Sequence, residues 1–171
     1  DKDGGRVRWL AGFRLLTPVS RVVGGDADSD VVLGAQYADG IYSVWRINTV
    51  DDRAVRMVDR APGANPRWLV DRKGAVRAAV TGDDRTFTRT AWLRRDAEAP
   101  WQKLAEWHQF ETTDWRASLK LETFDYDGAL IVSAVNAQGR RSVYLWDEPN
   151  NRLGLELASH PQLDVHGADL I

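Results

Sequence analysis

A tryptophan-bearing, strand-like segment recurs three times in this chain, and its period constrains the fold more tightly than any other feature. Trp45, Trp92 and Trp146 lie 47 and 54 residues apart, in the segments IYSVWRINT, TFTRTAWLRR and RRSVYLWDE. Each segment is preceded by another apolar run, at 31–35, 75–80 and 129–133, and each run by a polar turn, at 26–30, 71–74 and 125–128. Asp and Gly suit such turns, because an Asp side chain bonds its own downstream backbone and Gly accepts positive φ. A second turn follows, at 49–52, 96–100 and 148–151, and then a shorter strand, RAVRMVD, WQKLAEW or RLGLELA. Four short strands separated by turns make an antiparallel meander, and meanders repeated every 40–50 residues or so mark propeller blades.

The expected fold class is therefore all-β, a partial β-propeller of about three four-stranded antiparallel blades. The propeller fragment spans residues 1–171, with blades at about 14–60, 64–108 and 117–159. Residues 6–12 read as the last strand of a preceding blade, and 160–171 as the start of the following one. The one stretch with helical spacing is 98–110, where Leu104, Trp107 and Phe110 recur, but Trp101, Lys103, Ala105 and Trp107 admit strand alternation as well. Three blades do not close a ring, so open blade faces and unpaired edges predict self-association. The only methionine is Met57, and the chain opens on Asp1 and stops on Ile171, which predicts an excised piece of a longer protein.

Composition excludes several classes of function. With 43% hydrophobic and 28% charged residues the chain is an ordinary globular sequence rather than a disordered one. A formal charge of −2 without a basic block removes the electrostatic case for nucleic acid or an anionic membrane, and no apolar stretch is long enough for a membrane span. No cysteine means no disulfide framework, thiolate metal site or cysteine nucleophile. None of the seven serines sits in a Gly-x-Ser-x-Gly context, so the nucleophile elbow of an α/β-hydrolase is absent.

Other chemistry is weakly signalled. His160, Asp164 and His166 offer metal-binding atoms, but their spacing fits no closed zinc site and a loop between blades explains them. The pairs Asp51–Asp52, Asp83–Asp84 and Asp125/Asp127 fall in turns, where backbone chemistry rather than glycoside hydrolysis accounts for them. Asp26-x-Asp28-x-Asp30 lacks the glycine and distal glutamate of a calcium loop. Arg94–Arg95 and Arg140–Arg141 read as solvated strand or turn residues. No catalytic, cofactor-binding or metal residue is therefore assigned, and no cofactor is expected. Eight tryptophans remain to be explained. The three repeating ones fit packing between blades; Trp101, Trp107 and Trp115, near His108 and Phe110, form the expected aromatic binding surface.

The run from WLVDRKGAVRAAV through TRTAWLRRDAEAPWQKLAEW to SVYLWDEPNNRLGLELASHPQLDVHG resembles the N-terminal propeller of bacterial prolyl oligopeptidase-family serine peptidases, of the acylaminoacyl- and dipeptidyl-peptidase type. Three features carry it: Trp68 to Asp71 with Gly74 and Arg77, Gly139–Arg140 leading into Val143–Leu145, and His160–Pro161 before Asp164–Val165. The resemblance implies a non-catalytic, substrate-gating propeller whose partners are a C-terminal α/β-hydrolase domain of the parent chain and short peptides. It carries over no catalytic residue, and Glu106 and Glu111 are not the adjacent pair that would hold a peptide amino terminus. Periplasm and cytoplasm both remain open. The alternatives from other classes are a propeller scaffold for protein partners without a hydrolase, and an all-β carbohydrate-binding module.

Overall fold

A computed structural model describes residues 17–22, 31–38, 40–48, 53–58, 60–110 and 118–167. Among the described residues every regular element is a strand: β1 Thr17–Val22, β2 Val31–Ala38, β3 Ile41–Asn48, β4 Ala54–Val58, β5 Arg67–Val70, β6 Val76–Asp83, β7 Thr88–Leu93, β8 Gln102–His108, β9 Lys120–Phe124, β10 Leu130–Val135, β11 Arg141–Asp147 and β12 Arg152–Ala158. They form three four-stranded sheets in which sequence order is spatial order, β1 to β4, β5 to β8 and β9 to β12, and all neighbours are antiparallel. Each sheet is the meander of a propeller blade, and the fold class is all-β as the repeat predicts. Trp45, Trp92 and Trp146 lie on β3, β7 and β11, the third strand of each sheet. Where helical spacing competed with alternation, alternation wins, as β8. The expected strand at 6–12 and the Asp26-x-Asp28-x-Asp30 turn lie outside the described residues, and of the expected start of a following blade residues 160–167 are described, bent at 161–163 and without a strand.

The chain divides into two compact units, residues 1–59 with the first sheet and 60–171 with the other two. In the first unit β2 and β3 pair without interruption from Val31↔Asn48 to Ala38↔Ile41. Ser43, Val44 and Ile47 are buried, and the Trp45 indole N–H donates to Ser43 Oγ at 3.1 Å while the Arg56 guanidinium stands 4.5 Å from the Trp45 ring.

One turn recurs in the second unit. Asp71, Asp125 and Asn136 each open a link in which the N–H of the residue four positions later donates to the Asp or Asn side-chain oxygen, at 2.8, 2.7 and 3.0 Å. Gly74, Gly128 and Gly139 close these links with φ of +82°, +84° and +74°, a backbone region costly for a residue with a Cβ. The short side-chain acceptor replaces a backbone partner at each corner, so three hairpins have local chemistry enough to set their own register.

The second and third sheets share one apolar core. The second sheet contributes chiefly small or slender side chains, Ala78, Ala91, Ala105, Leu93 and Leu104; the third contributes Phe124, Leu130, Val132, Tyr144 and Trp146. Small residues on one face let aromatic rings on the other approach closely, and that interdigitation fills the space at interior density. β6 is buried along both faces, consistent with its alanines at 78 and 79.

Two guanidiniums are buried at this core, one bridging the two sheets and one within the second. Arg77, 8% exposed, donates from Nη1 to Gly128 O of the third sheet at 2.6 Å and from Nε to Arg94 O at 3.2 Å, over the Phe124 ring at 4.8 Å. Arg94, expected to be solvated, is 7% exposed: its Nε donates to Val76 O at 2.6 Å and its guanidinium lies 4.8 Å from the Trp101 ring. Burial lowers its pKa, against the opposing pull of Glu98 and Asp96. The sequence expectation fails there because strand alternation identifies a buried position but not a carbonyl acceptor waiting beside it. Arg95 and Arg140 are exposed, and Arg141 is half-buried, donating to Ser118 O at 2.9 Å and Ser133 Oγ at 3.0 Å.

Phe124→Ala is expected to lower stability by about 3–5 kcal/mol in urea unfolding, through lost burial and a cavity; a loss under about 1 kcal/mol would contradict the shared core. Arg77→Leu is expected to cost about 2–4 kcal/mol, because it strands two carbonyls. A neutral result would show that the guanidinium ties nothing together.

Candidate functional site

The tryptophans expected to form one surface are separated by a bulge. In β8 Ala105 pairs with Ala91 but Lys103 pairs with Trp92, leaving Leu104 as an extra residue. Six residues apart, Trp101 and Trp107 would share a face of a regular strand; one inserted residue reverses the alternation between them. Trp101 accordingly stacks on Trp68, ring centroids 6.1 Å apart at 43°, whereas Trp107 packs against the core between the second and third sheets. Trp115 lies outside the described residues.

Trp107 instead lines a cleft of about 500 Å³ within the second unit, together with Arg67, Leu69, Val80, Leu119 and Leu121. Its walls come from the second sheet and from the start of β9. The Arg89 guanidinium lies across the Gly82 backbone, where a Cβ at position 82 would displace it. Arg89 is held there by Asp84 Oδ1 at 3.2 Å and Gln109 Oε1 at 3.0 Å, and Asn65, at φ +46°, donates to the other Asp84 oxygen at 3.1 Å. Lys120 is paired with Glu122 at 2.9 Å. Arg67 is exposed and makes no hydrogen bond or ion pair among the described residues, so it is the uncommitted cation of the cleft. Nothing in the sequence marks it out, since an arginine beginning a strand is ordinary; only the neighbouring pairs make it conspicuous.

A second aromatic group stands nearby in sequence. Phe87, 43% exposed, Phe110, 67% exposed, and His108 form a ring trio with centroids 5.2 to 6.2 Å apart. Phe87 has φ +54°, uncommon for a bulky residue, and its carbonyl receives the Gln109 N–H at 2.8 Å. The turn before it is built by Asp83, whose Oδ1 accepts the Arg85 N–H at 2.8 Å; that bond holds the Asp83 carboxyl below its usual pKa. Phe87 gives no sequence signal because a turn residue has no periodicity.

The remaining candidates are spent on structure. His160 Nδ1 accepts the Gln162 and Leu163 N–H groups, both at 3.1 Å, and Asp164 Oδ1 accepts the Arg141 N–H at 2.8 Å. Among the described residues no three His, Asp or Glu side chains converge as a metal site. Asp83 and Asp125 cap their own turns and Asp84 holds Arg89, while Asp51 and Asp52 lie outside the described residues. Ser133 and Ser142 are fully buried, bonded to Glu122 Oε1 at 2.6 Å and to Asn136 Nδ2 at 2.9 Å. No helix among the described residues is long and apolar enough to cross a membrane.

Neither the protein-family models nor the curated proteins compared with this chain match it. Among solved structures it is similar to the β-propeller domain of the Trilobed protease from Pyrococcus furiosus, described as having an open velcro topology, at 12% identity and a TM-score of 0.43. The likeness covers 89% of this chain and 45% of that one, so this chain spans less than half the length of that domain's chain.

Proposed function

We propose that this chain is a non-catalytic segment of a substrate-gating propeller in a serine peptidase of the prolyl oligopeptidase type, the α/β-hydrolase domain lying elsewhere in the parent protein. The observation that carries the reading is the stacking of two successive four-stranded meanders through one core, with their first strands, β5 and β9, approaching each other. Consecutive meanders stacked in this way are the repeating step of a propeller. The motifs around Trp68–Asp71, Arg77 and Gly139–Arg140 that resemble the peptidase propellers support the same reading, because Arg77 bridges the two meanders and the Gly139 turn joins two strands of one of them. In the parent, the role of such a domain is steric: blades over an active site exclude folded proteins and admit short, extended peptides.

The full-length parent is expected to hydrolyse short peptides and to lose that activity to a serine-directed organophosphonate, whereas residues 1–171 alone hydrolyse neither peptides nor esters above background. A parent without peptide hydrolysis overturns the reading. So does turnover by residues 1–171 that the organophosphonate abolishes.

A further inference from the structure

The geometry points to the cleft between the second and third sheets as a binding site for the carboxyl-terminal end of a peptide, with its carboxylate on Arg67 and its terminal apolar side chain on Leu69, Leu121 and Trp107. The peptide as ligand class rests on the proposed function; the carboxylate does not. Of the three cations around the cleft, Arg89 is neutralised by Asp84 and Lys120 by Glu122. Arg67 alone has no partner among the described residues, and it is an exposed residue lining a cleft whose walls mix apolar side chains (Leu69, Val80, Trp107, Leu119, Leu121) with Asn65, Thr81 and Asp84. A guanidinium presents a planar fork of donors that matches a carboxylate in a bidentate pair. The cavity, at about 500 Å³, is within the range that encloses a small ligand, here one or two residues. Leu69, Val80, Leu119, Leu121 and Trp107 form the apolar part of the lining and suit an apolar side chain on the residue bearing the carboxylate, while Asn65, Thr81 and Asp84 make up its polar part. Arg89 lies over Gly82 with its guanidinium already paired with Asp84 and Gln109, so it is not the cation offered to an incoming anion.

The test uses the full-length protein and fluorescence anisotropy of fluorescein-labelled Gly-Ala-Leu with a free carboxylate, the same peptide as its amide, and Gly-Ala-Asp amide. The free acid is expected to bind about tenfold more tightly than either amide, the scale of one charge-assisted pair. Arg67→Gln removes that preference, and Arg67→Lys restores part of it. Trp107→Ala weakens acid and amide alike. Equal binding of Gly-Ala-Leu acid and amide overturns the site, as does an acid preference that survives Arg67→Gln, or no binding at millimolar peptide. Tight binding of Gly-Ala-Asp amide overturns the terminal assignment in favour of a side-chain carboxylate. Peptide hydrolysis by the same preparation separates the two proposals. An acid preference lost with Arg67→Gln in a protein without hydrolysis sinks the gating reading and keeps the site; hydrolysis without an acid preference does the reverse.

Discussion

The second unit depends on one contact: the Arg77 guanidinium, buried between two sheets and shared among carbonyls and a ring. It donates across to Gly128 O in the turn that opens β10, and its flat face lies over Phe124. A charge in that position is tolerable only with hydrogen-bond partners, and here Nε and Nη1 each donate to a carbonyl oxygen. The consequence reaches both ways. Gly128 must keep φ near +84° to present its carbonyl, and a Cβ there would crowd Arg77 Nη1 at 3.1 Å. Phe124 in turn fills the space that Ala78 and Ala91 leave open. Arg72 to Phe124 O at 3.3 Å and Asn151 to Leu104 O at 3.3 Å add two further ties between the same sheets.

The functional consequence is that the cleft inherits its rigidity from this packing. Leu69, Leu121 and Trp107, which line it, also pack against the shared core. The pairing around it leaves the Asp84–Arg89–Gln109 chain as scaffold and Arg67 as the group free to act.

What was legible in the sequence follows from the range of the physics involved. The tryptophan strands and the turns at 71–74 and 125–128 could be read because alternation and Asp–Gly turn chemistry are local, decided within five or six residues. The resemblance to peptidase propellers rests on those same local patterns. The burial of Arg94 was not legible, because its acceptor, Val76 O, belongs to a strand eighteen residues away. Nor was the separation of Trp101 from Trp107, which depends on the single extra residue at Leu104 opposite Ala91 and Trp92. Arg67 becomes distinctive only once Arg89 and Lys120 are known to be paired, which is a property of neighbours rather than of the residue.

The central claim is that these sheets are blades of a larger propeller, and exposed apolar side chains such as Leu155 and Leu157 on β12 make it directly measurable. Light scattering on residues 1–171 alone and on the full-length parent is the measurement. The segment alone is expected to associate through its uncovered faces while the parent is monodisperse. A stable, compact monomer of the segment would contradict it, because blades that need no neighbours are not part of a larger ring.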